Sequence, residues 1–148
     1  MKKVIFTAAT LALLTLFTSA YSNRTADARV GYQAPNFTFE QGDSIVSLQQ
    51  FRGQEVIVTF WSTTDVQSRL DNMRHDREAR TRGLAHISVN MDHSEGVYTM
   101  AVIVDRLRRS TQFHADSAQQ QSLSQAWRLE KGYNSFLIGP DGRIEQVL

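Results

Sequence analysis

Cysteine is absent from the 148-residue sequence. Its absence excludes disulfide bonds, cysteine-ligated metal sites and thiol nucleophiles from these residues. Proline occurs only as Pro35 and Pro140, and there is no low-complexity segment or internal repeat. The hydrophobic share of 41% and the charged share of 21% match those of globular domains, so we expect a single folded domain with its own core.

The chain also lacks an excess of charge of either sign. Its formal net charge is +1, and the loss of Lys2 and Lys3 with a leader would lower this by two charges to −1. Nucleic-acid binding requires a marked basic excess or basic patch to neutralise phosphates. The composition therefore argues against nucleic acid as a partner.

Residues 1–20 differ in composition from the rest of the chain. Lys2 and Lys3 precede an apolar run at 4–17, and three small residues end the segment at Ala20. This order is typical of a secretory signal peptide. Because the run is shorter than the roughly 20 apolar residues that span a bilayer, we expect cleavage rather than a membrane anchor.

This pattern predicts a signal peptide at 1–20, a linker at 21–30 and a folded domain at 31–148. We expect an exported protein of the periplasm or cell envelope, with no stable membrane span after cleavage of the signal.

Strand signals recur along the predicted domain. Alternating apolar residues at 37–39 and 45–48 flank a turn at 41–43 and predict an N-terminal β-hairpin. The continuous apolar run at 56–61 is typical of a strand buried on both faces. Further strands are predicted at 84–91, 112–114, 135–138 and 143–148.

Helix signals separate these strands. A first helix follows the N-cap residues at 62–65, ends near Gly83 and carries the apolar residues Val66, Leu70 and Met73. A second, capped by Ser94, carries Val97, Met100, Ala101, Val104 and Leu107, although 102–104 also suits a strand. A third begins at Asp116 or Ser117. Alternating strands and helices predict an α/β fold with a central sheet covered by helices.

Most charged and titratable residues have a structural explanation. Asp76 and Arg80 form an i,i+4 pair typical of a solvated helix face. Asp92 and His93 are expected in a solvated loop, and none of the four histidines pairs with another at metal-ligand spacing. The arginines at 106–109 suit a helix end, although an anion-binding patch there stays open.

Four segments in order resemble the thioredoxin superfamily. They are VGYQAPNF at 30–37, SLQQFRG at 47–53, VTFWST at 58–63 and SFLIGPDGRI at 135–144. They are most similar to the redoxin branch, which includes alkyl hydroperoxide reductase/thiol-specific antioxidant proteins and envelope thiol:disulfide interchange proteins. The resemblance implies a thioredoxin-like fold with a central mixed sheet flanked by helices and an N-terminal β-hairpin.

The same alignment shows two departures from the family. Asp65 and Ser68 occupy the two active-site cysteine positions, and Tyr133 stands at or next to the position of the family's cis-proline. A cis bond without proline costs about 2.5–4 kcal/mol, so we expect a trans peptide there. We therefore expect no catalytic residue, no cofactor and no metal ligands. Asp65 is interpreted as a helix cap, and Ser68 has no evident base beside it.

The resemblance places six residues at the degenerate ancestral site: Trp61, Thr64, Asp65, Ser68, Tyr133 and Asn134. The leading hypothesis is a non-catalytic module that binds a peptide or an envelope protein there, although the alternative that the aromatic residues simply pack in the core is favoured for those side chains. One alternative is an oxidoreductase by descent that depends on a partner's cysteines. Another is a structural domain of a longer protein, because the sequence ends at Leu148, where the family has a further helix.

Overall fold

The computed structural model describes residues 28–148. The predicted signal peptide and residues 21–27 of the predicted linker lie outside this range. Ala28 is buried in the core, and the backbone N–H of Gly31 donates to the carbonyl of Ile144 at 2.7 Å. The packed part of the chain therefore includes residue 28.

Seven strands form two sheets in the described residues. The antiparallel hairpin consists of β1 (Thr38–Gln41) and β2 (Ser44–Ser47). The second sheet has the order β5-β4-β3-β6-β7. Its strands are β3 (Val56–Trp61), β4 (Ala85–Asn90), β5 (Gln112–His114), β6 (Ser135–Ile138) and β7 (Ile144–Val147). Strands β3, β4 and β5 are parallel to one another, whereas β6 is antiparallel to both of its neighbours, β3 and β7. The predicted mixed sheet and N-terminal hairpin are therefore confirmed.

Three α-helices connect the strands: α1 (Val66–Arg82), α2 (Glu95–Val104) and α3 (Ser117–Ala126). Each begins at a predicted cap, because the side chains of Asp65, Ser94 and Asp116 accept from backbone N–H groups of the first turn. Gly83, with a left-handed φ of 68°, ends α1. Residues 102–104 are helical, so the alternative of a strand there is wrong.

One face of the central sheet is apolar and carries the main core. Alternate residues of β3 and β4, such as Val58, Phe60 and Val89, point to this face and are fully buried. Trp127, which follows α3, packs on Phe60 with ring centroids 5.1 Å apart. The hairpin and α3 cover this face.

The opposite face of the sheet carries buried polar residues beneath α1, beside the apolar Ile57 and Trp61. Thr59, His86 and Ser88 point to this face, and α1 turns Asn72 and Asp76 toward them. The apolar residues at helical spacing therefore predicted the helix correctly but do not form its inward side. Asp76, predicted to be solvated, is only 2% exposed.

These apolar residues lie on the outer side of α1 or at its edge. Val66 is 70% exposed and Leu70 54% exposed, while Met73 is half-buried. The inner side of α1 is polar instead: His75 lies 3.2 Å from the Thr59 hydroxyl of β3, and Asp76 lies 3.8 Å from His86 Nδ1 of β4.

Within residues 28–148, no helix is long and apolar enough to cross a membrane. All peptide bonds in this part of the chain are trans, including the one before Tyr133, as expected.

Candidate functional site

The loop between β3 and α1 and the first turn of α1 stand at the carboxyl end of β3 and contain Asp65 and Ser68, the two residues predicted at the family's cysteine positions. The Asp65 side chain accepts from the Ser68 N–H at 3.0 Å, which confirms its role as a cap. The buried Ser68 hydroxyl accepts from the Ser62 N–H at 3.2 Å and donates to the Asp65 carbonyl at 3.1 Å. Because these contacts are all with backbone groups, Ser68 fastens the loop and has no base to activate it.

Asp92, which follows β4, organises this loop from the neighbouring strand. Its carboxylate accepts from the Ser62 hydroxyl, from the Thr63 N–H at 3.1 Å and from the Asn90 side-chain amide at 2.8 Å. Only 8% of Asp92 is exposed, so its predicted place in a solvated loop is wrong, whereas the adjacent His93 is exposed. Asp92 thus connects the ends of two parallel strands.

The ionisation of Asp92 follows from these contacts. Burial alone raises the pKa of this carboxyl, but the donors Ser62, Asn90 and Thr63 outweigh it and hold the pKa below its ordinary value. The group is therefore a carboxylate at neutral pH whose oxygens are occupied by fixed donors. Such a group holds structure in place and is a poor general base.

The backbone carbonyl of Asp92 extends the network to the edge of the sheet. It accepts from the His114 Nε2 at 2.7 Å and from the Gln120 side-chain amide at 2.8 Å. The His114 ring in turn stacks on Tyr98 with centroids 5.4 Å apart. Residues from β5, α2 and α3 therefore all support the position of Asp92.

Four of the six predicted site residues reach the surface or its edge. Thr64 and Asn134 are exposed, and Asp65 and Tyr133 are half-buried. Trp61 is fully buried, in a small apolar cluster with Ala101, Val102 and Leu107. The expectation that Trp61 lines the ancestral surface is therefore wrong, because the last residue of β3 points under α2.

An open groove of about 320 Å³ lies above the network. Its polar side is the 62–64 loop with Asp92, and its apolar side comes from Met91, Val97 and Tyr133. Within residues 28–148, no three His, Asp or Glu side chains converge in a way that could hold a metal ion.

A second polar cluster lies beneath α1. The Thr59 hydroxyl is 3.2 Å from both His75 Nδ1 and His86 Nε2, and His86 Nδ1 is 3.8 Å from Asp76 Oδ1. These four residues are at most 3% exposed, so the cluster is internal. No sequence pattern linked the two histidines, because they are brought together by the packing of α1 across β3 and β4.

Burial determines the charge of this cluster. It lowers the pKa of both His75 and His86, so both rings are neutral near pH 7. Burial opposes ionisation of Asp76 as well, but its neighbours His86 and Arg80 outweigh that effect and bring its pKa to about 2. The cluster therefore holds one carboxylate, paired with Arg80, and two neutral imidazoles.

The hairpin, the mixed sheet and the helix that starts at the end of β3 define a thioredoxin-like protein. The model of the AhpC/TSA family matches residues 30–147, and the chain belongs to that family. No curated protein matches the sequence.

Solved structures agree with this fold. A thioredoxin-like protein from Parabacteroides distasonis is 29% identical with a TM-score of 0.72, over 83% of this chain and 89% of that one. The thioredoxin domain of a thiol-disulfide oxidoreductase from Bacteroides vulgatus is 21% identical, with a TM-score of 0.68 and coverage of 80% and 87%. A thiol:disulfide interchange protein from Bacteroides sp. is 20% identical, with a TM-score of 0.64 and coverage of 83% and 81%.

Proposed function

We propose that this chain is a non-catalytic thioredoxin-like protein of the cell envelope that binds an extended peptide segment of a partner protein. The peptide would lie in the groove between the 62–64 loop and Tyr133. Export is supported by the signal-like segment at 1–20.

The observation that carries the proposal is that the groove has a fixed shape but contains no nucleophile. Asp92 and Ser68 hold the 62–64 loop through buried hydrogen bonds, so the loop is preorganised in the absence of a ligand. Preorganisation of this kind reduces the entropy lost on binding. No thiol exists in these residues to turn the retained groove into a redox site.

The walls of the groove suit a peptide in an extended conformation. Met91, Val97 and Tyr133 offer an apolar side to one row of side chains. Within the described residues, the backbone N–H and C=O of Tyr133 have no hydrogen-bond partner, so they are available to a peptide backbone. Burial raises the pKa of the Tyr133 hydroxyl, which keeps this wall uncharged.

The binding test uses a permanently unfolded, carboxymethylated protein labelled with a fluorophore, followed by anisotropy. We expect Tyr133→Ala to weaken binding about tenfold, since a partly buried aromatic residue is a typical anchor. Tyr32→Ala is the matched control, because Tyr32 lies near β7, away from the groove. Thr64→Arg should also weaken binding by filling the groove, and it removes no core contact.

Two further results would contradict the proposal. Equal binding by wild type, Tyr133→Ala and Thr64→Arg would place any peptide site elsewhere. Turnover in insulin-reduction or peroxide-reduction assays would assign a redox activity instead, and activity that appears only with a cysteine-bearing partner would favour the alternative of an oxidoreductase by descent.

A further inference from the structure

Helix α2 lies on the protein surface with an apolar outward side. Its exposed residues Val97, Met100, Ile103 and Val104 are 48%, 58%, 49% and 64% accessible, and we call them the α2 stripe. Their spacing of three, four and seven residues places them on one side of the helix. Ala101 and Val102, on the inner side, are buried against Trp61.

A helix that is apolar on both its inner and outer sides is normally covered on both. Within residues 28–148, the inner side of α2 is buried, whereas the α2 stripe on its outer side is about half exposed. Contiguous exposed aliphatic patches of this kind mark interaction surfaces. The α2 stripe therefore requires an apolar partner.

Two arginines follow the stripe closely in the chain. Arg106 and Arg109 are exposed, and neither forms an ion pair within the described residues. The nearby Asp105 is already paired with Arg69 at 2.7 Å. Two exposed arginines without an ion pair in the described residues thus lie within five residues of Val104.

The backbone at Arg106 is unfavourable for an arginine. Its φ is 54°, in the left-handed region that favours glycine. The N–H groups of Arg106 and Leu107 close the helix on the carbonyls of Ile103 and Val102, a helix ending that usually has glycine at this position. Arginine at this position costs conformational energy that glycine would avoid. Its presence is expected if the guanidinium charge takes part in binding.

We propose that the α2 stripe and the two arginines form a peripheral binding surface for membranes rich in anionic lipid. Aliphatic side chains would enter the boundary between headgroups and acyl chains, and Arg106 and Arg109 would contact phosphates. A second copy of the chain fits less well. Four half-exposed side chains fall well short of the roughly 800 Å² per partner that a stable interface buries.

The test is sedimentation with vesicles of phosphatidylglycerol and phosphatidylcholine, compared with vesicles of phosphatidylcholine alone. Wild type should bind the anionic vesicles more strongly, and added salt should weaken that binding. Val104→Glu should lower the partition coefficient by about tenfold or more. Ile45→Glu is the matched control, because Ile45 on β2 is 62% exposed and the variant adds the same charge.

The arginines are tested separately from the stripe. Arg106→Gly should reduce binding to anionic vesicles about fivefold, the equivalent of roughly 1 kcal/mol per surface arginine, and leave binding to neutral vesicles unchanged. Glycine suits the backbone there, so this variant keeps the fold. All proteins are compared with residues 1–20 present in every sample or absent from every sample, so that this segment contributes equally.

Two outcomes would overturn the proposal. The first is equal vesicle binding by wild type, Val104→Glu and Ile45→Glu. The second is a wild-type dimer in light scattering that Val104→Glu converts to a monomer, because the stripe would then belong to a second copy. Loss of vesicle binding in Val104→Glu with intact peptide binding would separate this surface from the groove.

Discussion

Lowering the pH from 7 to 5 is expected to destabilise the protein through the two histidines buried beneath α1. Burial lowers the folded-state pKa of His75 and His86, whereas in the unfolded chain each ring titrates near 6.5. Below that value the unfolded state binds more protons than the folded state. The free energy of unfolding must therefore fall as the pH falls.

The magnitude follows from the number of protons involved. Each histidine that stays neutral in the fold lowers the free energy of unfolding by up to about 1.4 kcal/mol per pH unit below its unfolded pKa. Between pH 7 and 5 this amounts to at most about 2 kcal/mol per histidine. Arg74 beside His75 and Arg108 beside His86 add to the effect, while Asp76 opposes it at His86.

A second loss of stability, at lower pH, should be separable from the first. The pKa of Asp76 is about 2 in the fold against 3.8 as its ordinary value. A depressed carboxyl pKa stabilises the fold above the unfolded value, and that contribution is lost as the pH falls from about 4 toward 2. The histidine effect belongs to the window from about 6.5 downward.

Urea denaturation followed by tryptophan fluorescence at pH 7, 6 and 5 measures the effect. His86→Gln should reduce the pH dependence of the free energy of unfolding by about half, because one of the two buried rings is removed. This holds whether the variant is more or less stable than wild type at pH 7. His93→Gln, in an exposed loop, should leave the dependence as in wild type. A free energy of unfolding that stays constant from pH 7 to 5, or the same slope in His86→Gln, would refute the reasoning.

Two other predictions concern single residues. Asp92→Asn should lower the free energy of unfolding by about 2–3 kcal/mol in urea denaturation. The reason is that an amide cannot accept from all the donors that the Asp92 carboxylate now satisfies. An unchanged denaturation midpoint would contradict the role given to Asp92. Arg106→Gly should raise the free energy of unfolding by about 1 kcal/mol, since glycine adopts a φ of 54° without steric cost. A loss of stability would show instead that the arginine side chain stabilises the end of the helix.

The sequence predicted the elements better than their orientations. The strand at 56–61, the caps Asp65 and Asp116 and the stop at Gly83 are all where local patterns place them. Of the predicted site, the structure confirms Asp65 as a helix cap, and the equivalence of positions 65 and 68 with the family's cysteines stays a prediction. Asp92 was missed as a structural centre, since an acidic residue in a polar loop resembles any solvated one.

The sequence by itself determined where helices and strands begin and end, and that this fold holds no thiol. Caps, turns and strand periodicity are local, so each can be predicted without knowledge of its neighbours. Only the tertiary structure decided which side of each element lies inward. Periodicity identifies the residues that share a face but not the layer that this face meets. Here α1 carries Asp76 inward, 3.8 Å from His86 Nδ1 of β4, and Val66 outward, while α2 has its aliphatic stripe at the surface.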